Sequence, residues 1–387
     1  GFDSSEDYYG YFDPGANYEY SSNGYFIKSS AGEWDGNFLN WLTMRRVDVT
    51  RKVLSGGKQT SRQTQQTKKL QGAKSPDRDF YKECDDVSDY TPYSGDKEFI
   101  VNNGDIYVST GYYGSDSYNI EVKVTNEQTG ILQSFWKRAR FGLMYFNTNE
   151  GGYVSKYIKN GTRPNILSSI QNTEPSTNTP LAETLYEATR YFEIENSAYG
   201  GDNYSAHDPA KYWCQKNFVL LLTDGASTKD RNVPGGNWED AVDVSDDDFD
   251  VKDYMDDIAD LEGYSSQYDK KLNDNKGTYY LEGVAYYSHT KDFRPNDYQG
   301  TQNISLYNVF AFDKSEDAKE LLKTSAKYGG FQDKNGNNKP DRQDEWDQNE
   351  DGIPDTYYSA RDGAKLESEL TTAINEILQR ASSGTAV

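Results

Sequence analysis

The chain alternates long polar stretches with short apolar runs, and several runs repeat at helical spacing. Apolar residues follow this spacing between Trp34 and Leu54, and Gly56-Gly57 ends the stripe, so the pattern predicts a helix over 34–54. A second stripe follows Thr179-Pro180, with Thr179 as the expected N-cap and Pro180 at the first helical position. Further helices are predicted at 279–290, 316–328 and about 364–380.

Continuous apolar runs predict buried strands. The most apolar run is Asn217–Thr223, followed by Asp224-Gly225, so we expect a central parallel strand that delivers an acidic residue to the loop at its carboxyl end. The runs 141–146 and 304–312 predict two more buried strands. Residues 106–108 and 120–124 alternate instead, and the turn-forming residues between them predict a β-hairpin insertion.

The alternation of strands and helices predicts an α/β fold with a doubly wound, mostly parallel (Rossmann-like) sheet. Long insertions interrupt the pattern near 57–135 and 228–275, and the second insertion is strongly acidic. We therefore expect one main domain over 34–387, with a Tyr-rich amino-terminal segment, residues 1–33, packed on it.

Charge narrows the range of partners. The 63 acidic residues outnumber the 41 basic ones, which gives a net charge of −22. Such a chain repels nucleic acid and anionic lipid head groups, so neither is an expected partner, and its ionic partners should be cations. No apolar run approaches the roughly 18 residues of a membrane span. The 33 tyrosines argue against disorder, and they serve either surface adhesion or core and loop packing.

The loop 333–355 contains two copies of the same spacing of oxygen-bearing side chains. They stand at the first, third, fifth and ninth positions of each copy, and the seventh position offers its carbonyl. Calcium binds about six to eight oxygens, so the spacing predicts a Ca²⁺-binding loop, whereas the alternative is a polar surface loop. The first ligand set is Asp333, Asn335, Asn337, the carbonyl of Lys339, Asp341 and Asp344. The second set is Asp347, Asn349, Asp351, the carbonyl of Ile353 and Asp355, and it needs Glu345 or another carboxylate as its missing twelfth ligand. The first set is therefore the better predicted site.

Residues suited to catalysis are scarce. His207 and His289 are the two histidines, and neither stands in a pattern typical of a general base. The chain has no Gly-x-Ser-x-Gly elbow and no zinc-ligand spacing, so we assign no catalytic residue and expect no enzyme. The two cysteines, Cys84 and Cys214, fit either one disulfide in an oxidising compartment or two free buried thiols.

Several strings resemble the amino-terminal half of PilY-type type IV pilus tip proteins. They are Tyr8–Pro14, Trp34–Asp48, Thr179–Glu183, Cys214–Gly225 and Asp351–Asp355, and Arg380–Ala386 resembles the passage where that half ends. The resemblance covers nearly all of the chain, with looser similarity over 57–135 and 228–275. It implies a von Willebrand factor A-like domain with roles in pilus assembly, adhesion, twitching motility and surface sensing.

The resemblance also implies a metal site at the sheet edge. Domains of the von Willebrand factor A type hold a divalent ion with a Thr, an Asp and an Asp-x-Ser-x-Ser segment, and Thr179 and Asp224 match the first two. The string Asp3-Ser-Ser-Glu-Asp7 does not supply the third, because no apolar strand precedes it and it ends in Asp. The implied site is therefore partial, and it would take Mg²⁺ if the missing first strand were supplied.

The resemblance finally implies a location and partners. The protein would be extracellular, at the pilus tip or cell surface after secretion through the periplasm, and would bind minor pilins or the tip complex and a host or abiotic surface ligand. For a secreted chain we predict a Cys84–Cys214 disulfide. Two alternatives stay open, namely a calcium-stabilised structural spacer that carries a distal domain and a secreted hydrolase.

Overall fold

The computed structural model describes residues 1–60, 68–73, 79–109, 115–126, 128–148, 150–159, 161–237, 244–312 and 315–383. The chain divides into two compact units. The first comprises Gly1–Lys137, Leu167–Pro175 and Asp362–Glu367, and the second comprises Arg138–Ile166, Ser176–Arg361 and Ser368–Val387. Residues 1–33 and the region 57–135 thus lie in one unit, a division that differs from the predicted boundary between residues 33 and 34.

The first unit contains two sheets of short strands. The strands are β1 Asn17–Ser21, β2 Tyr25–Lys28, β3 Trp34–Asp35, β4 Lys68–Gln71, β5 Phe80–Cys84, β6 Lys97–Asn102, β7 Asp105–Ser109, β8 Ser115–Asn119 and β9 Glu121–Val124. One sheet has the order β3-β1-β2-β9-β4 and the other has the order β5-β6-β7-β8. Because β7 pairs with β8 and β9 pairs with β4, the predicted hairpin between 106–108 and 120–124 is wrong. The sequence of β8 is polar, and this explains why its pairing was missed.

Two helices replace the single predicted helix over 34–54. The helices of this unit are α1 Gly36–Thr43, α2 Arg46–Ser55 and α3 Ile131–Phe135. Asp35 caps α1 by accepting a hydrogen bond from the Phe38 N–H at 2.8 Å, and the extended backbone of Met44 ends the helix. Gly56 ends α2 with φ of +81°, a left-handed value that favours glycine. The apolar stripe continues across the break, so its spacing alone does not locate the interruption.

Aromatic rings supply much of the core of the first unit. The buried Phe38 meets Phe2 edge to face, with ring centroids 5.2 Å apart, and stacks with Tyr90 at 5.8 Å. Phe26 makes edge contacts with Phe12 and Trp34 in the same way. These arrangements are the ones that aromatic quadrupoles favour. Phe12 is itself buried, so residues of the Tyr-rich segment form part of this core.

A buried arginine holds the segment Leu167–Pro175 against α2 within the first unit. Arg51 is 1% exposed and donates hydrogen bonds to two carbonyls of that segment, at 3.3 and 2.6 Å, and to the Glu174 carboxylate at 3.1 Å. The buried Asp48 carboxylate lies 3.7 Å from the same guanidinium. Burial raises the pKa of Asp48 to about 6, although the charge of Arg51 lowers it. We call Asp48, Arg51 and Glu174 the Arg51 cluster.

The second unit combines a parallel sheet with helices. Its strands are β10 Leu143–Phe146, β11 Gly152–Lys156, β12 Asn217–Thr223, β13 Lys271–Asn273, β14 Gly277–Thr278, β15 Ile304–Ala311 and β16 Tyr357–Ala360. The remaining helices of the chain are α4 Arg163–Asn172, α5 Leu181–Glu193, α6 Val251–Glu262, α7 Leu281–Thr290, α8 Glu316–Gly330, α9 Gln343–Trp346 and α10 Gly363–Ser383. Residues of α4 and α10 are shared between the two units. In the described parts of the chain, no helix has the length and apolarity that crossing a membrane requires.

Three parallel strands in the order β12-β15-β16 form the centre of the second unit. β12 and β15 pair in unbroken register from Asn217 opposite Ile304 to Thr223 opposite Phe310. β15 lies in the middle, and seven of its eight side chains are buried. β12 ends the sheet among the described residues, and four of its seven side chains are half-buried. The α/β class is therefore confirmed, but the predicted central position of β12 is wrong.

The strand predicted over 141–146 is present, but its neighbour and its burial differ from those expected. β10 matches the predicted strand over 141–146, but it pairs antiparallel with β11 and all four of its side chains are half-buried. Its predicted burial on both faces is therefore wrong. The acidic insertion 228–275 contains α6, which begins where the Asp250 carboxylate accepts a hydrogen bond from the Lys252 N–H at 2.8 Å.

Both cysteines are free thiols, so the predicted Cys84–Cys214 disulfide is wrong. Cys84 ends β5 in the first unit, where its Sγ lies 3.6 Å from the Asp85 carbonyl, and Cys214 precedes β12 in the second unit. The prediction relied on the even number of cysteines and on the compartment. Neither of these fixes the distance between two sulfurs, which a disulfide restricts tightly.

Thiol titration of the denatured, unreduced chain should find two free thiols. In the native protein Cys214 should react first with iodoacetamide, because Cys84 is only 8% exposed and burial raises the pKa of its thiol. Peptide mass spectrometry of the partly alkylated protein identifies the first site. The absence of reactive thiols after denaturation would contradict the structure.

Candidate functional site

The candidate calcium loop, residues 333–355, lies at the amino-terminal edge of the parallel sheet. It follows α8, which ends at Gly330, and it leads into β16 at Tyr357. Asp224 instead follows the carboxyl end of β12. Because the three strands run parallel, these two positions lie at opposite edges of the sheet. The structure therefore separates the two candidate metal sites.

Asp333 organises the first half of the loop. Its carboxylate accepts hydrogen bonds from the backbone N–H groups three, four and five residues later, at 2.7, 3.2 and 2.9 Å. The carboxylate of Asp341 accepts from the side-chain amides of Asn335 and Asn337, at 2.9 and 2.7 Å. The side chains at the third, fifth and ninth positions are thus joined in one cluster.

The second half of the loop repeats this backbone geometry. The Asp347 carboxylate accepts from the N–H groups of Asp351 and Gly352, at 3.1 and 2.8 Å. The third-position oxygens of Asn335 and Asn349 each accept from the N–H two residues later, at 3.2 and 3.0 Å. Left-handed φ values recur at the fourth and sixth positions, +79° and +57° in the first copy and +61° and +80° in the second. The repeat in sequence is therefore also a repeat in structure.

Asp344 and Glu345, the residues considered as the twelfth ligands of the first and second sets, both bond to other residues of this chain. The Asp344 carboxylate pairs with Lys334 at 3.1 Å and with Arg342 at 3.0 Å. Glu345 is fully buried, and its carboxylate accepts from the backbone N–H groups of the same two residues, at 2.9 and 3.2 Å. These contacts close the turn that precedes α9.

The charge of the two ligand sets differs. Without Asp344, the first set contains the carboxylates of Asp333 and Asp341, whereas the second contains those of Asp347, Asp351 and Asp355. Among the residues that the structure describes, no three His, Cys, Asp or Glu side chains are grouped so that they could hold a metal ion. Calcium binding would therefore also need the Asn oxygens and the backbone carbonyls, and it stays a prediction. The sequence favours the first set because Asp344 fills its twelfth position. Since Asp344 is paired with Lys334 and Arg342, and calcium affinity depends on the number of charged ligands, the carboxylate count favours the second set instead.

Thr179 lies beside the loop that follows β12. Its backbone N–H donates to the Thr228 Oγ1 at 2.9 Å, and its carbonyl accepts from the Thr228 N–H at 3.0 Å. Asp224 lies four residues before Thr228 and is exposed. Coordination of one ion by the Thr179 and Asp224 side chains stays a prediction. The predicted N-cap role of Thr179 is wrong, because α5 begins at Leu181 with no side-chain hydrogen bond from its own cap residue.

Asp230 caps α5 instead. This buried carboxylate accepts from the N–H groups of Ala182 and Glu183, at 2.9 and 3.0 Å, and from the Ser227 hydroxyl at 2.6 Å. The buried Glu183 carboxylate in turn accepts from the N–H groups of residues 231 and 232, at 2.8 and 2.9 Å. The two carboxylates, which we call the Glu183–Asp230 pair, thus join the start of α5 to the loop after β12.

The Glu183–Asp230 pair is costly to ionise. Burial, reinforced by the charge of Asp230, raises the pKa of Glu183 to about 8, and burial raises the pKa of Asp230 to about 6. The sequence gives no sign of this pair, because Asp230 is one of many acidic residues in the insertion 228–275. The chain's own N–H and O–H groups occupy the pair's oxygens, which indicates a structural role.

Comparison with known proteins shows what the chain is similar to. Residues 1–127 match the family model described as PilY1 homolog, small alpha/beta domain. The chain is also similar to a type IV pilus biogenesis factor PilY1 homolog of Xylella fastidiosa (strain Temecula1), with 26% identity over 373 residues, 77% of this chain and 30% of the relative. These matches support a PilY1-type protein. The resemblance seen in the motifs is thereby confirmed, and no solved structure matches the chain.

The extent of each match limits what it says about the sites. This chain spans about 30% of the length of its PilY1-type relative. The family model covers the first 127 residues, which include α1, α2 and most of the aromatic core described above. The loop 333–355, Thr179 and Asp224 lie outside those residues. The candidate metal sites therefore depend on their own geometry and not on the family match.

Proposed function

We propose that the chain is a non-enzymatic module of a type IV pilus biogenesis factor, located at the cell surface or in the periplasm, that takes part in pilus assembly and surface attachment. The observation that carries this proposal is the similarity to the PilY1 homolog over 77% of the chain. Its partners would be minor pilins or the pilus tip complex on one side and a host or abiotic surface ligand on the other. The match of residues 1–127 to the PilY1 homolog domain supports the same role.

The surroundings of the histidines support a role without catalysis. His289 is half-buried, and its two ring nitrogens lie 2.9 and 2.8 Å from the carbonyl oxygens of Ile304 and Phe331. His207 stacks on Tyr157 with ring centroids 3.7 Å apart. A general base needs a nitrogen within hydrogen-bond reach of the substrate, and both nitrogens of His289 are already engaged.

A von Willebrand factor A-like architecture of the second unit belongs to the proposal. It is supported by the parallel register of β12, β15 and β16 and by the pairing of Thr179 with the loop after β12. Mg²⁺ at this edge, held by Thr179 and Asp224, would need further oxygen ligands to complete its octahedral shell.

Allelic replacement tests the proposed function. In the bacterium that carries this gene, deletion of the full-length gene should reduce surface pili, twitching and attachment, and the full-length gene should restore all three. Electron microscopy counts pili, while stab-agar zones and washed-surface assays measure twitching and attachment. A deletion strain with normal pili, twitching and attachment would refute the proposal. Normal attachment with few pili would instead favour a structural spacer in assembly.

Calcium binding by the loop 333–355 is the metal-dependent part of the proposal. The repeated turns place several carboxylates in one short segment, and a cation would relieve their mutual repulsion. Hydrogen bonds outweigh the opposing effect of desolvation and lower the pKa of Asp333 and of Asp347, so both carboxylates are ionised at neutral pH. A bound ion would fix the path into β16 and the start of α10.

Calcium should raise the melting temperature of the chain, and a chelator should lower it. Ligand at 100 times its Kd stabilises the folded state by about 2.7 kcal/mol. Differential scanning calorimetry with calcium and with EGTA measures the shift. Asp347→Asn should remove most of the response, because it neutralises a first-position carboxylate, while Asp260→Asn, at an exposed position on α6, should keep it. Identical melts with calcium and with chelator would exclude this part of the proposal.

A further inference from the structure

The sheet β5-β6-β7-β8 of the first unit has an outer face that carries a row of apolar and aromatic side chains. The buried side chains of its inner face belong to the core of the first unit, and they are Phe99, Val101, Ile106 and Val108. On the other face, the strand register places Tyr81 of β5 opposite Ile100 of β6, and Ile100 opposite Tyr107 of β7. Tyr81 is 62% exposed, and the other two side chains are half-buried. This row therefore points away from the core.

Two glutamates stand directly opposite each other in the next row of the same face. Glu83 of β5 pairs in register with Glu98 of β6, and both side chains are exposed. Like charges at directly opposed positions of neighbouring strands destabilise a sheet. Within the part of the chain that the structure describes, neither carboxylate forms an ion pair or a hydrogen bond. The fold thus holds two carboxylates together without a contact that compensates their repulsion.

The lysines next to these glutamates in sequence do not neutralise them. Successive side chains of a strand point to opposite faces, so Lys82 and Lys97 lie on the inner side of the sheet. The Lys82 ammonium donates to the Trp41 carbonyl and lies 4.4 Å from the centroid of the Trp41 ring. The Lys97 ammonium donates to the Ser94 carbonyl at 2.8 Å. A cation that pairs with the glutamates would therefore come from outside this sheet.

We propose that this surface is a docking site for a partner protein that presents arginine side chains. It is formed by Tyr81, Glu83, Glu98, Ile100 and Tyr107. A guanidinium group forms two parallel hydrogen bonds with a carboxylate, and it also stacks on aromatic rings. Residues two apart on one face of a strand are about 7 Å from each other, so one long arginine side chain can contact both Tyr81 and Glu83.

An arginine-bearing partner uses both features of the surface, whereas other partners use one. A purely apolar partner would cover the row of Tyr81 and Ile100 but would bury two unpaired carboxylates, which is costly. A lysine would pair with the carboxylates but lacks the planar group that stacks on a tyrosine ring. The inference deepens the proposed function and rests on it, because the partner would be a component of the pilus machinery with a basic surface.

Fluorescence anisotropy of dye-labelled peptides at low salt tests the inference on the full 387-residue chain. A five-residue peptide that alternates threonine and arginine should bind. The same peptide with lysine should bind roughly threefold more weakly, and the one with glutamate should not bind. Glu83→Gln and Glu98→Gln should each weaken binding of the arginine peptide roughly threefold, and the double variant should weaken it roughly tenfold. Tyr81→Phe should keep the preference for arginine over lysine, whereas Tyr81→Leu should lose it.

Hydrogen exchange gives a second readout, which a merely structural role of the glutamates would not produce. Glu83→Gln removes the like-charge repulsion, so it should increase the protection of β5 and β6 while it weakens peptide binding. Glu19→Gln, at an exposed position of β1 in the same unit, should change neither quantity. Lower protection of β5 and β6 in Glu83→Gln would mean that this carboxylate stabilises the sheet, and it would overturn the inference.

The remaining outcomes separate this inference from the proposed function. No binding of the arginine peptide at millimolar concentration, or equal binding of the lysine peptide, would overturn the docking site. If that happened while deletion of the gene still reduced pili and attachment, the proposed function would stand. Normal pili, twitching and attachment in the deletion strain would reject the proposed function, and with it the identity of the partner as a pilus component.

Discussion

Arg51→Met should destabilise the first unit by about 3–5 kcal/mol, the range found when one partner of a buried charge pair is removed. The substitution removes the hydrogen bonds to two carbonyls of the segment Leu167–Pro175 and to Glu174. It also leaves the buried Asp48 carboxylate without its neighbouring cation. Methionine replaces the aliphatic part of the arginine side chain, so the loss would come mainly from the polar contacts of the guanidinium.

The effect of Arg51→Met should grow with pH. In the wild type the pKa of Asp48 is raised to about 6 from its usual 3.8, so its contribution to stability falls as pH rises through this interval. The charge of Arg51 lowers this pKa, and the variant loses that charge, so ionising Asp48 becomes more costly. We therefore expect a larger loss of stability at pH 8 than at pH 5.

Hydrogen exchange resolves the effect by unit, which a single melting curve does not, because two units need not unfold together. Protection of peptides from α2 and from residues 167–175 should fall, while that of β15 should change little. The exposed Arg46 on the same helix provides a matched control, and Arg46→Met should alter stability by less than about 0.5 kcal/mol. Equal effects of the two substitutions would show that the Arg51 cluster has no special role.

Asp230→Ala should cost at least about 3 kcal/mol in the second unit. The substitution leaves the N–H groups of Ala182 and Glu183 and the Ser227 hydroxyl without their buried acceptor, and each such loss costs about 1–3 kcal/mol. Asp224→Ala, at an exposed position earlier in the same loop, should change stability by less than about 0.5 kcal/mol. Urea unfolding followed through hydrogen exchange in α5 measures both variants.

The Glu183–Asp230 pair should also make stability fall as pH rises. The folded-state pKa values are raised to about 8 and about 6 from the usual 4.5 and 3.8, so the folded state holds protons that the unfolded state has released. The contribution is therefore fully favourable below about pH 4, and it is lost as pH rises through 6 and 8. Glu183→Gln should flatten this dependence between pH 6 and 9. An unchanged slope in the variant would show that Glu183 does not titrate in this interval.

The elements best predicted from the sequence are those whose hydrophobic pattern lies within the element itself. The helices α7, α8 and α10 follow from their apolar periodicity, and each ends within a few residues of the predicted bounds. The break between α1 and α2 was missed, because the apolar stripe runs through it and the extended backbone of Met44 leaves no signal in the spacing.

Features that depend on distant partners were not predictable. The run Asn217–Thr223 reads as a buried strand, but its position at the end of the sheet depends on which strands pair with it. The capping of α5 by Asp230 joins residues 48 positions apart, so the nearby Thr179 was chosen instead. The cysteine prediction failed in the same way, because the distance between two sulfurs far apart in the chain depends on the fold and leaves no signal in the spacing. In the loop 333–355 the spacing of the oxygen-bearing residues did predict a structural feature, because the two copies in the sequence form the same set of turns.

The register of the parallel sheet would have a mechanical consequence if the proposed role in attachment exposes this chain to tension. A force applied along the strands would load all the hydrogen bonds between two paired strands at once. The force needed to separate the two strands would therefore grow with the number of residue pairs between them. β12 and β15 share seven pairs, whereas β15 and β16 share four. The shorter ladder would rupture first, and its outer strand β16 directly follows the loop 333–355. The rigidity of the loop 333–355 would then set the force at which β16 separates from β15 and the second unit begins to unfold.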